Sequence, residues 1–198
     1  MSIDPKTATV IVVEDNADNL FIVTDLLRED LRVKYCNGRA SGRQFFKLLE
    51  TNSQLKPDLI LLDIQMPGMN GFEVCKKLKE IDQTRDIPVI FISALDEVLD
   101  KVEAFEVGGV DYITKPFQIL EVLARIEHQL TLRRQHEQIA AIGALAHDLH
   151  DSIRQLVSHA ELLTTGGDAP PSTELRTEIH QAAQKIEAAF VQLVRLTE

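Results

Sequence analysis

Apolar positions follow two regimes along the chain. Up to about residue 130, short continuous apolar runs alternate with stretches in which apolar residues recur every three or four positions. Beyond it only the second pattern remains. Ala8–Val13, Leu59–Leu62 and Ile87–Ile92 are runs of the kind that strands buried on both faces show. Arg32–Cys36 and Asp111–Thr114 are briefer strand candidates. Between them, Ala17–Arg28 sets Leu20, Val23, Leu26 and Leu27 on one helical face, and Ser41–Glu50 carries Phe45, Leu48 and Leu49. Phe72–Glu80 and Leu95–Val107 are further helices, the latter closed by Gly108-Gly109 as a C-cap. Strands alternating with helices predict strand–helix–strand units and a parallel sheet. Five strand–helix pairs give an α/β domain over residues 1–130.

The remainder, residues 131–198, predicts an all-α segment. Gln118–Leu163 contains no Pro and a single Gly, Gly143, so it fits one long helix or two stacked helices. Ile139, Ile142, Ala146, Leu149, Ile153, Leu156, Ala160 and Leu163 fall at alternating steps of three and four, a heptad seam. Gly166-Gly167 and Pro170-Pro171 mark a reversing loop, and Leu175, Ile179, Ala182, Ile186, Ala189, Leu193 and Leu196 repeat the spacing. A two-helix hairpin is too thin to hold a core of its own. Two hairpins together make a four-helix bundle, so a homodimer is expected.

Composition narrows the setting. At 198 residues, 44% of them hydrophobic, the chain suits a globular fold with one good core and something smaller. A net charge of -10 speaks against direct nucleic-acid binding, which needs Lys and Arg for phosphate contacts. Cys36 and Cys75 are too few for a disulfide framework and read as reduced packing residues. Met1–Thr9 lacks the apolar core of a signal peptide, and no apolar run approaches the ~20 residues of a membrane span. The expectation is a cytoplasmic protein without membrane contact.

Candidate chemistry sits where strands end. The central run stops at Asp63, and Ile64-Gln65-Met66-Pro67-Gly68 turns the chain. The first strand ends in Glu14-Asp15, the fourth in Ser93 and the fifth in Lys115. In an open parallel sheet these ends share one edge, where ligands bind. Three carboxylates in one cleft repel unless a cation joins them, and oxygen-only ligands favour Mg²⁺ over zinc. A carboxylate so placed is a nucleophile toward phosphorus, with Lys115 and the Ser93 hydroxyl to hold phosphoryl oxygens. Singly, each residue has a plain structural use, a cap for Asp15 or a turn residue for Asp63. Their coincidence at the strand ends does not.

Val-Val-Glu-Asp-Asn, Leu-Leu-Asp-Ile-Gln-Met-Pro-Gly-Met-Asn-Gly, Phe-Ile-Ser-Ala and Asp-Tyr-Ile-Thr-Lys-Pro-Phe stand in the order and spacing of one family. Residues ~6–130 resemble the receiver domain of two-component response regulators. The resemblance implies a flavodoxin-like, doubly wound five-stranded sheet, with Asp63 as phosphoacceptor. It implies Mg²⁺ placed by Glu14, Asp15, Asp63 and the Gln65 backbone carbonyl, and phosphoryl contacts from Ser93 and Lys115. Tyr112 would be the aromatic that moves with Ser93, and the Lys115–Pro116 bond would be cis. Glu14 replaces the Asp commonest at its position.

The hairpin resembles the dimerisation and phosphotransfer segment of histidine kinases. The matching pieces are His147-Asp148-Leu149, Glu161-Leu162-Leu163 and Val191-Gln192-Leu193-Val194-Arg195-Leu196. The resemblance makes His147 a candidate phosphohistidine, with Asp148 beside it to orient the imidazole. Ser152 stands where that family has Pro. His150-Asp151-x-x-x-Gln155 resembles the motif of a second kinase family, so His150 is a rival. No glycine-rich nucleotide loop occurs; Gly166-Gly167 reads as a turn. Three readings follow. The chain is a phosphorelay component served by a cognate histidine kinase or phosphotransfer protein, or the front of a receiver-first histidine kinase without its ATP-binding domain. Alternatively, it is a regulator whose bundle only dimerises and docks. A Mg²⁺-dependent aspartyl phosphatase is remote, since that chemistry wants a second Asp where Gln65 stands.

Overall fold

The buried runs become strands and the periodic stretches helices. The structure, a computed structural model, describes residues 8–30, 35–39, 42–52, 54–94, 98–116, 118–165 and 172–197. In chain order the elements are β1 (Thr9–Val13), α1 (Ala17–Asp30), β2 (Tyr35–Arg39), α2 (Gly42–Thr51), β3 (Leu59–Asp63) and α3 (Gly71–Glu80). They continue with β4 (Val89–Ser93), α4 (Val98–Glu106), β5 (Asp111–Thr114), α5 (Ile119–Thr165) and α6 (Thr173–Thr197). The chain divides into an α/β unit reaching Arg134 and a helical unit from Gln135 onward, four residues past the boundary that the sequence pattern predicts.

In the α/β unit five parallel strands run in the order β2-β1-β3-β4-β5. Every residue of β3 and β4 is buried, which is why those strands read as unbroken apolar runs. Val10, Val12, Leu59, Leu61, Ile90, Ile92 and Ile113 point to one face and pack with Val23 and Leu27 of α1 and Val122, Ile126 and Leu130 of α5. Ile11, Val13, Ile60, Leu62, Val89 and Phe91 point to the other, against Phe45 of α2, Val74, Cys75 and Leu78 of α3, and Ala104 of α4. The unit is doubly wound, and its ligand edge lies at the strand C-termini. The described part of β2, Tyr35–Arg39, pairs with β1 from Thr9↔Tyr35 to Val13↔Arg39. Residues 31–34, like Leu95 to Glu97 of the expected fourth helix, lie outside the described residues, as does the Cys36 side chain. Cys75 is buried, as a packing cysteine should be, and burial pushes its thiol up to about 11.

The helical unit is a hairpin of α5 beyond Gln135 and α6. The His159 Nε2 atom lies 3.2 Å from Glu178 Oε2, and at the far end the Gln138 amide donates to the Leu196 carbonyl. Ser152, Ala182 and Ala189 are buried, and Ile142, Leu149, Leu156 and Ile186 are half-buried. Half of the expected seam is not inside: Ile139, Ala146, Ile153 and Ala160 are exposed. A 3–4 repeat presents two adjoining rows, and one antiparallel helix covers only one of them. The side chain of Leu163 lies outside the described residues. No helix among the described residues is long and apolar enough to cross a membrane.

Candidate functional site

Each functional side chain sits at or just past the end of a strand, where the chain turns. β3 ends on Asp63, and the turn Met66 to Met69 passes through Gly68 at φ +84, a conformation glycine adopts without strain. The chain re-enters α3 through a capping box: Asn70 accepts from the Glu73 N–H, and Glu73 accepts from the Asn70 N–H. Gly71 makes this return fit, since a Cβ there would stand 2.4 Å from the Asp63 carbonyl oxygen. At the end of β1, Asn16 caps α1 by accepting from the N–H groups of Asp18 and Asn19.

The pocket brings four of the sequence candidates together. Glu14 is fully buried, Asp63 is 2% exposed and Asp15 stands at the rim, their carboxylate oxygens within 4.8 Å of one another. Lys115 Nζ bridges two of them, at 2.9 Å from Glu14 Oε2 and 3.0 Å from Asp63 Oδ2. The Gln65 N–H donates to Asp63 Oδ1, and the Lys115 N–H donates to the Ser93 carbonyl. Ser93 is buried at the end of β4 and Tyr112 is half-buried in β5. The register Phe91↔Tyr112 and Ser93↔Thr114 turns both to the same face. The Lys115–Pro116 peptide is cis.

Electrostatics follow from this packing. Burial, reinforced by the neighbouring Glu14 carboxylate, pushes the Asp63 carboxyl from 3.8 up to about 6, against the pull of Lys115. Burial alone would lower Lys115, but its hydrogen bonds to Glu14 and Asp63 outweigh that and hold the ammonium above its ordinary range. One cation therefore serves two buried carboxylates. The surplus negative charge and the all-oxygen donor set of Glu14, Asp15 and Asp63 fit a hard divalent cation such as Mg²⁺.

Two holding residues were missed by sequence reasoning. Glu14 Oε1 accepts from the Asn16 N–H at 3.2 Å and from the Asn19 side-chain amide at 3.3 Å. The Glu-Asp-Asn run signals the first, but nothing in the sequence signals Asn19. On the helical unit His147 is 76% exposed, and its Nε2 lies 3.5 Å from Asp151, one turn on, rather than facing the adjacent Asp148. His150 is exposed as well.

Residues 10–127 match the family model described as the response regulator receiver domain. The chain belongs to that family. A DNA-binding master transcriptional regulator of Synechocystis, RpaA, is 40% identical over 113 residues, 57% of this chain and 40% of its own length. The transcriptional regulatory protein YvrH of Bacillus subtilis is 33% identical over 167 residues, 83% of this chain and 65% of its own. The chain thus spans under two thirds of these relatives. The receiver domain of a signal transduction histidine kinase from Syntrophus aciditrophicus superposes with a TM-score of 0.56 at 30% identity, covering 63% of this chain and 91% of that one. Receiver domains bind Mg²⁺ at an acidic pocket and interact with histidine kinases or phosphotransfer proteins, and the acidic cluster here has that makeup.

Proposed function

We propose that this receiver accepts a phosphoryl group on Asp63 as a component of a two-component phosphorelay, and that its helical hairpin forms a homodimer. The observation carrying the first half is the convergence of Glu14, Asp15 and Asp63 on one cleft with Lys115 bridging two of them. An Asp63 carboxylate oxygen attacks phosphorus in line. The bond from phosphorus to the donor breaks, the donor keeps its electron pair, and an acyl phosphate remains on Asp63. Lys115, released from Glu14, and the Ser93 hydroxyl then hold phosphoryl oxygens. Glu14, Asp15, Asp63 and the Gln65 carbonyl would hold Mg²⁺, which supplies charge neutralisation between carboxylate and phosphoryl group.

The exposed apolar row of the hairpin supports the dimer. Ile139, Ile153 and Val157 of α5 and Phe190, Val191 and Val194 of α6 lie open to solvent, Phe190 by 61%. His147, exposed with Asp151 3.5 Å from its Nε2, is the phosphohistidine candidate, and His150 is the rival. Transfer between histidine and Asp63 makes the chain a relay; a hairpin without histidine chemistry makes it a dimerising regulator. The test uses the full chain with acetyl phosphate and Mg²⁺. Base-labile phosphate should appear, with acetate released, and should vanish in Asp63→Asn or with EDTA. Label persisting in Asp63→Asn sinks the reading. Acid-labile phosphate, received from a histidine-phosphorylated donor system and lost in His147→Gln but not His150→Gln, would assign the histidine.

A further inference from the structure

The start of α1 is tied to the pocket by a rearranged cap. Asn16 Oδ1 accepts from the N–H groups of Asp18 and Asn19 at 2.9 and 3.0 Å. In a capping box the side chain three residues on reaches back to the N–H of the cap. Here that N–H goes to Glu14 Oε1 at 3.2 Å, and the residue three on, Asn19, sends its side-chain amide to the same oxygen at 3.3 Å. Nδ2 has to be the atom facing Glu14, because the amide oxygen would meet a carboxylate lone pair. Glu14 thus takes the part of the box's acidic residue from ahead of the helix, and it is fully buried there. Its other oxygen, Oε2, stays on the pocket side, 2.9 Å from the Lys115 ammonium that also reaches Asp63.

The two oxygens of one carboxylate therefore have separate partners, α1 for one and the pocket for the other. Glu has one rotatable bond more than Asp, so a Glu that is to join a cation has more freedom to lose unless it is held beforehand. We propose that Asn19 is a positioning residue for the cation site. By pinning Glu14 Oε1 to the first turn of α1 it aims Oε2 at the cleft shared with Asp15 and Asp63, and Glu14 and Asn19 act as a pair matched in length. The proposal rests on the cation-assisted phosphoryl acceptance read from this cleft. Asn19 acts through Glu14 and touches neither the cation nor the phosphoryl group. Groups that orient a metal ligand are worth about 10- to 100-fold in metal affinity. The Asn16 N–H stays on Oε1 when the amide is removed, so the low end of that range applies.

The test uses the full-length protein with Mn²⁺ as the probe. Bound ion is read from the loss of the free ion's paramagnetic resonance signal, and Mg²⁺ affinity from competition. Only the binding that Asp15→Asn abolishes is counted. Asn19→Ala should weaken Mg²⁺ binding by about five- to ten-fold. In the Glu14→Asp protein, where the shorter side chain draws its oxygen away from the amide, the same Asn19→Ala change should alter affinity by less than about two-fold. Equal losses in the two backgrounds would confine Asn19 to the helix terminus, and no loss beside Glu14 would make the contact idle; either result overturns the proposal. Should Asn19→Ala fail to fold, Asn19→Leu, of similar shape without the amide, takes its place. Acetyl phosphate labelling of the parent separates the two failures. An unlabelled Asp63 removes the role of Asn19 together with the function beneath it, whereas a labelled Asp63 with equal or absent losses removes the role of Asn19 only.

Discussion

Asp63 carries its charge where the surroundings resist it. Its carboxyl titrates near 3.8 unfolded and about 6 in the fold, because burial and Glu14 both disfavour the anion. A raised carboxyl pKa means that the folded state holds its proton longer than the unfolded state does. The contribution of Asp63 to the stability of the metal-free fold is therefore full below about 4 and is lost as pH rises through about 6. Asp63→Asn removes that penalty while Lys115 keeps Glu14. The variant should be more stable than the parent at pH 7.5 in EDTA, by about 1–3 kcal/mol, and no more stable at pH 4. Urea unfolding at the two pH values reads this; an equal gain at both would show that charge is not the cause. Mg²⁺ should reverse the ranking by stabilising the parent and not the variant, since only the parent keeps the full donor set. The residues of this pocket were legible because a strand's last residue is fixed by where its apolar run stops. Asn19 was not: it reaches Glu14 from the first turn of α1, five positions on, through a fold of the chain that no local pattern encodes.

At the scale of elements, legibility tracks burial. β3 and β4 are sealed on both faces and announce themselves as apolar runs, whereas β2 is an edge strand whose described part runs on through Asn37-Gly38-Arg39, beyond the expected end at Cys36. The hairpin seam was visible as a 3–4 repeat, but its division into an inner and an outer row was not. Ile142 and Ile153 look alike in sequence; only the position of α6 separates them. The outer row carries a prediction. Ile153 is 47% exposed and Phe190 61%, so Ile153→Glu with Phe190→Glu should leave the hairpin helical while removing apolar contact area from the interface. Burying such side chains contributes ~1.5–3 kcal/mol each, so the dimer should weaken by two orders of magnitude or more. Sedimentation equilibrium with circular dichroism measures both properties. A parent that is monomeric at micromolar concentration would remove the dimer. Leu149→Glu is the contrast, because that half-buried side chain faces the hairpin interior and its loss should cost helicity.

The whole molecule is threaded by α5, whose 47 residues run from Ile119 to Thr165 through the point where the α/β unit gives way to the helical one. Its first part is clamped to the sheet. Val122, Ile126 and Leu130 are buried there, and Arg133 Nη1 donates at 2.8 Å to the carbonyls of both Pro57 and Asp58. That last clamp falls one residue before the boundary at Arg134. A helix with no Gly or Pro at such a boundary transmits rotation and register shift, where a flexible linker would decouple the two ends. Any displacement of α5 driven from the Asp63 pocket should therefore reach the hairpin, with a coupling of typically ~1–3 kcal/mol. Spin labels at Gln181, an exposed position on α6, report it as a distance between copies in the proposed dimer. Beryllofluoride with Mg²⁺ should shift that distribution in the parent chain. Two glycines inserted after Arg134 should abolish the shift and leave acetyl phosphate labelling of Asp63 unchanged, because the pocket lies wholly before the insertion. A distribution that ignores beryllofluoride in the parent, while Asp63 still labels, would make the two units independent devices on one chain. A shift surviving the insertion would route the coupling through something other than the helix.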